Sequence, residues 1–118
     1  MNSIYDRHGR TIAWIHNDYI YDYHGSIVLA FIRNNSIFTT RGRHLGRFAN
    51  GFLRDIHGHA VAFVRGAKSG PVTPVTQIAP IPPIPAIPPI PPVPPIPPIP
   101  PIDSLSWSAL TWDNFINH

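Results

Sequence analysis

The chain has 118 residues, no cysteine, and 9 Lys and Arg against 6 Asp, for a net charge of +3. Without cysteine there are no disulfides or thiolate metal sites, and the length suits one domain. All 16 prolines fall between Pro71 and Pro101, so the globular part is expected to end near Ser69, at about the smallest size at which one core holds without staples.

From the N-terminus, "MNSIYDRHGR" lacks the basic and apolar regions of a signal peptide, and no run of eighteen apolar residues occurs. A soluble, cytoplasmic protein with no membrane association is expected. "IYDRHG" at residues 4–9 returns as "IYDYHG" at 20–25, and in weaker form as "IFTTRG" at 37–42 and "LRDIHG" at 53–58. The glycines Gly9, Gly25, Gly42 and Gly58 are spaced 16, 17 and 16 apart, the extra residue falling in the second unit. Allowing for it, Ala13, Ala30, Gly46 and Ala62 form a small-residue column, and Ile15, Ile32, Phe48 and Val64 an apolar one. Trp14, Phe31 and Phe63 form an aromatic column broken by Arg47, and Tyr5, Tyr21 and Phe38 share another.

Each copy reads as strand, turn, strand, turn. The Asp of "YDRHG" can accept backbone hydrogen bonds, the next pair suits a type I turn, and the Gly supplies positive φ at a bulge. The alternate turns, "HNDY", "RNNS" and "ANG", are also rich in turn formers. One hairpin cannot bury a face, so four must close around a shared core. The fold class is therefore all-β: four quasi-symmetric β-hairpin repeats around a common core, followed by a polyproline II tail. The small column fits an axis where only Ala or Gly has room, and the aromatic columns read as core.

The four "YDxxG" units with "IAxI" strands, the proline tract and the closing "SWSALTWDNF" together resemble the bacterial fourfold β-flower proteins, over essentially the whole chain. That resemblance implies a layout and no activity. The units are more weakly similar to the YD repeats of Rhs-type toxin shells, which have many more copies and longer periods.

No catalytic constellation emerges. His8, His24 and His57 precede three of the turn glycines, but turn tips of neighbouring hairpins lie on the order of 10 Å apart, whereas zinc needs nitrogens about 2.1 Å from one point. There is no Glu, no GxSxG elbow and no glycine-rich phosphate loop. A non-enzyme with no metal and no cofactor is expected. Eight Arg lie before Lys68, with Arg41, Arg43 and Arg47 the densest group. They define the alternative function, a module for nucleic acid or another polyanion. Arginines on solvated strand faces are the plainer account, and nucleic acid is not favoured.

Beyond a linker at 69–80, residues 81–102 place Ile81, Ile84, Ile87, Ile90, Val93, Ile96, Ile99 and Ile102 at every third position. Polyproline II has three residues per turn and rises about 3.1 Å per residue, which predicts a rod of roughly 65 Å with one aliphatic stripe. A domain of residues 1–68 is about 28 Å across and cannot cover such a rod unless the rod bends back. Partner copies are then expected to cover it, in a homo-oligomer. Residues 103–118 carry Trp107, Trp112 and Phe115 as an aromatic anchor for the chain's own domain, a sister copy or another protein, with Thr111 placed to cap a helical turn. The function expected is a non-enzymatic interaction or self-assembly module using the stripe and these aromatics.

Overall fold

The computed structural model describes residues 1–117. Eight strands follow in chain order: β1 (Asn2–Tyr5), β2 (Thr11–His16), β3 (Tyr19–Tyr21), β4 (Val28–Arg33), β5 (Ser36–Thr39), β6 (His44–Ala49), β7 (Phe52–Arg54) and β8 (Ala60–Phe63); a short helix, α1 (Trp112–Ile116), comes near the C-terminus. Each strand pairs antiparallel with the next, and Tyr5 against Phe63 joins β1 to β8, closing a barrel.

The turns follow from the residues that make them. Asp6 accepts from the backbone N–H groups of His8 and Arg10, Asp22 from Ser26 and Ile27, and Asp55 from His57 and His59. In the third copy the Thr39 hydroxyl takes the same role toward Arg41 and Arg43. Gly9, Gly25, Gly42 and Gly58 all have positive φ. One bulge precedes each turn, at Ile4/Tyr5, Ile20/Tyr21, Ile37/Phe38 and Leu53/Arg54. The extra residue of the second copy is absorbed in its turn, where Asp22 N–H reaches Ile27, whereas Asp6 reaches Arg10. At the other barrel end, Asn17–Asp18, Asn34–Asn35 and Asn50–Gly51 place both central residues at positive φ, as two-residue hairpins with the right-handed twist require.

Inside, large faces small. Ile4 pairs with Ala13, Ile20 with Ala30, Ile37 with Gly46 and Leu53 with Ala62, and all except Gly46 belong to one buried cluster. An eight-stranded barrel has room for side chains and little else, and this alternation fills it. Gly46 is obligatory: a Cβ there would lie 1.8 Å from the Arg54 carbonyl oxygen. At the Asp-turn end the barrel is plugged by its own C-terminus. Thr111 caps α1 by accepting from Asn114 N–H, and Phe115 is buried in the interior cluster with Val61 and Leu45.

The two aromatic columns are buried, but they lie outside that cluster. The interior set holds Ile, Leu, Val, Ala and the incoming Phe115, while Tyr5, Trp14, Tyr21, Phe31 and Phe38 are absent from it. The reading of these columns as the shared core is corrected accordingly: along a strand, side chains alternate between faces, and the column beside the small residues points outward.

Residues 64–106 form no helix or strand, yet they are ordered on the barrel. The molecule is a disc of 36 × 35 × 21 Å, and the tail runs around its rim. Among the described residues no helix is long and apolar enough to cross a membrane.

Candidate interaction surface

The tail meets the barrel at the Asp-type turns, one after another. Gln77 N–H donates to the Gly9 carbonyl, Ala86 N–H to that of Gly25 and Ser104 N–H to that of Gly58, at 2.9, 2.9 and 3.1 Å. These positions share a nine-residue spacing in which the missing member is Pro95. Proline has no N–H, so the third turn, where Pro92 lies against Gly42, has no such bond. The same logic explains Ala86, the one break in the proline pattern: it is where the barrel needs a donor. Gln77 adds a second tie, its side-chain oxygen accepting from Thr11 N–H.

Beneath the tail lie four cross-strand pairs: Trp14 with Tyr21, Phe31 with Phe38, Arg47 with Arg54, and Phe63 with Tyr5. Three are aromatic. Pro80, Pro82, Pro89 and Pro91 border crevices shared with Tyr5, Trp14, Tyr19 and Phe31, so proline rings shelter the outward aromatics. The Tyr21 hydroxyl donates to the Ala86 carbonyl, and burial pushes its pKa up.

In the non-aromatic pair, Arg54 is fully buried and fastens the two ends of the tail. Its Nη1 donates to the carbonyls of Gly58 and Ser104 and its Nη2 to that of Ser69, at 2.6, 2.7 and 3.1 Å. Ser104 stands eighteen residues after Ala86, two of the nine-residue steps, so the guanidinium does for the closing end what the Tyr21 hydroxyl does earlier. Arg54 Cζ also lies 5.3 Å from the centre of the Phe52 ring. Two arginines side by side repel, and Asp103 answers both: it pairs with Arg47, and its carboxylate is 3.6 Å from Arg54 Nε. Burial, and then Arg47, lower the Arg54 pKa, opposed by Asp55.

Every third tail residue points away from the disc. Val72, Val75, Ile78, Ile81, Ile84, Ile87, Ile90, Val93, Ile96, Ile99 and Ile102 are 92–96 % exposed, while Pro80, Pro83, Pro85, Pro88, Pro91, Pro92 and Pro94 are half-buried. The aliphatic series thus starts at Val72, inside the stretch read as a linker. The aromatic anchor serves the chain's own domain: Trp107 packs on Phe52 and Phe63 at 6.2 and 6.0 Å, and Trp112 on Phe115 at 5.8 Å. Ser108 donates to Asp55 at 2.5 Å.

Of the arginines singled out for a polyanion, Arg41 and Arg43 are exposed on the third turn, while Arg47 is half-buried and engaged with Asp103. His8, His24 and His57 are exposed on separate turns, and among the described residues no three His, Cys, Asp or Glu come together to hold a metal ion. Arg54 is the functional residue that sequence reasoning missed. Its signal was there, as the Arg that breaks the column of Tyr5, Tyr21 and Phe38, just as Arg47 breaks the other.

A closed antiparallel meander barrel of eight strands, belted by its own proline-rich tail, defines a small all-β class. The chain belongs to the 4-fold beta flower protein family, which matches residues 2–116. No curated protein and no solved structure matches it.

Proposed function

We propose that this chain is a non-enzymatic interaction module that presents an aliphatic ring and self-associates through it. The carrying observation is the series of eleven aliphatic side chains from Val72 to Ile102, each 92–96 % exposed. Each is worth about 1.5 to 3 kcal/mol if buried, and a scattered surface does not recur at every third residue.

The finer architecture behind this reading is four quasi-equivalent hairpins, belted by a polyproline II segment making three turns per hairpin. Nine residues at about 3.1 Å cover roughly 28 Å. Four such steps make a circuit of roughly 110 Å, the rim of a disc about 36 Å across, and the molecule measures 36 × 35 Å. The belt holds to the barrel through prolines and leaves the third face free.

The ring is one residue tall, far short of the roughly 30 Å hydrocarbon layer of a bilayer, which favours protein over lipid as its cover. Two convex rims meet over a few side chains, well below the roughly 1,000 Å² of a stable interface. Pairwise association is therefore weak and open-ended, and grows with concentration.

The test is light-scattering mass across a concentration series for the full chain and for an Ile84→Lys/Ile90→Lys/Ile96→Lys variant. Shortening the chain at Lys68 would be a poor comparison, because it uncovers the aromatic pairs. A mass that rises with concentration in the parent alone supports the reading; a monomer throughout in both sinks it. Added salt should leave or strengthen the association, whereas contacts made through Arg41 and Arg43 to a polyanion would weaken steeply.

A further inference from the structure

The belt does not touch the barrel equally all round. From Pro95 to Ile102 every tail residue is exposed, while in the stretch before it half-buried prolines recur every few residues. The gap falls where the aromatic pair is replaced by Arg47 and Arg54. It is a crevice of about 550 Å³, with His44, Gly46 and Arg47 on the inner wall and Pro97 to Pro101 on the outer. Comparable crevices occur elsewhere, but the one beside Phe31 meets the belt only at Pro91 and the one beside Trp14 only at Ala79 to Pro82.

We propose that this crevice binds a planar aromatic ring carrying a hydrogen-bond acceptor, a phenol in the simplest case, between the Arg47 guanidinium and the proline wall. Its volume falls within the roughly 300–1,000 Å³ of small-molecule sites. The remaining arguments come from the molecule itself. Where Trp14, Phe31 and Phe63 stand in the other sectors this one has Arg47, so its crevice is walled by a guanidinium in place of a ring. Guanidinium groups already lie against rings at Arg33 and Phe31, 5.7 Å, and at Arg54 and Phe52, 5.3 Å. Asp103 holds the Arg47 guanidinium at Nη2, and Arg47 Nε is buried without a hydrogen-bond partner among the described residues, which leaves one donor of the group unsatisfied. Burial lowers the His44 pKa, which favours the neutral imidazole over another positive charge in the site. This inference does not depend on self-association.

The experiment is an amide-resolved NMR titration of the full chain with p-cresol, with 4-methylcyclohexanol as the non-aromatic control. Saturable shifts centred on His44, Gly46 and Arg47, at least tenfold weaker for the control, are expected. Arg47→Phe restores the ring found in the other sectors, and should abolish those shifts in a folded chain. Shifts spread evenly over all four sectors, equal response to both alcohols, or unaltered binding by folded Arg47→Phe would overturn the proposal. If that variant does not fold, the comparison of the two alcohols on the parent chain decides alone. Gly-Tyr-Gly amide separates the sources of the ring: binding as tight as p-cresol means the crevice accepts a partner's tyrosine, and exclusion of the peptide means it takes free small molecules.

Discussion

The barrel and the belt hold together by opposite means. In the barrel, continuous backbone pairing and a buried apolar interior fix every strand, and each hairpin repeats the same Asp or Thr turn and the same large-against-small pair. Between residues 70 and 104 the belt has no strand pairing, and a single parallel bridge, Ala60 with Trp107, follows it: three backbone hydrogen bonds, proline rings over aromatics and one buried guanidinium keep it on the rim. Loss of one interior side chain should therefore loosen the whole molecule, whereas belt lesions should act locally, graded by how many ties each removes.

The largest effect is expected from Ile37→Ala, which empties a fully buried site opposite Gly46. It should cost about 3 kcal/mol in urea unfolding, with a single transition; a second transition would mean that the barrel is not one cooperative unit. Next comes Arg54→Met, which removes three carbonyl contacts at the join of the belt. A loss of about 2–3 kcal/mol is expected, with faster proteolysis between residues 70 and 103. If proteolysis is unchanged, Arg54 does not fasten the belt.

Ala86→Pro is a finer probe, since it keeps the belt's composition and deletes one donor. It should cost about 1 kcal/mol, and hydrogen exchange should show more opening around Gly25 than around Gly9. Acidification tests the sector that departs from the others. The folded His44 pKa lies below its unfolded value near 6.5, so the unfolded state binds the proton more readily. Stability contributed by neutral His44 is present above about pH 6.5 and is lost as pH falls toward the folded value. His44→Gln should flatten that part of a urea-midpoint profile, and an unchanged slope would exclude His44 as its source. Ile90→Lys should do least to the fold, within about 0.5 kcal/mol, because its side chain is 96 % exposed. A larger loss would show that the aliphatic ring supports the monomer itself.

Much of this molecule was legible as repeats. The spacing of Gly9, Gly25, Gly42 and Gly58 sets four turns, Asp6, Asp22 and Asp55 cap three of them, and Asn17, Asn34 and Asn50 mark the opposite end. Such turns are local, their hydrogen bonds closing within a few residues, so the sequence alone can specify them. The three-residue aliphatic period was equally plain, as was the capping by Thr111. The sequence also determined which residue breaks each pattern, Arg47, Arg54 and Ala86 among them. It could not say what those breaks are for, because each acts on a partner far along the chain: Arg54 on Ser69 and Ser104, Ala86 on Gly25, Arg47 on Asp103.

Only the tertiary structure decided that the rod curves. A straight rod of 65 Å looked too long for its domain because it was set against a diameter; wrapped on a rim, its length is compared with a circumference. That change also sends the aromatic columns outward, where the prolines cover them, and leaves Ala13, Ala30, Gly46 and Ala62 as the inner wall. Alternation along a strand fixes that two columns lie on opposite faces, but not which face meets the barrel axis. Closure settles it physically: Ile4, Ile20, Ile37 and Leu53 facing Ala13, Ala30, Gly46 and Ala62, with Leu45, Val61 and the incoming Phe115, fill the interior, so the strand-borne aromatic columns lie outside, beneath the belt.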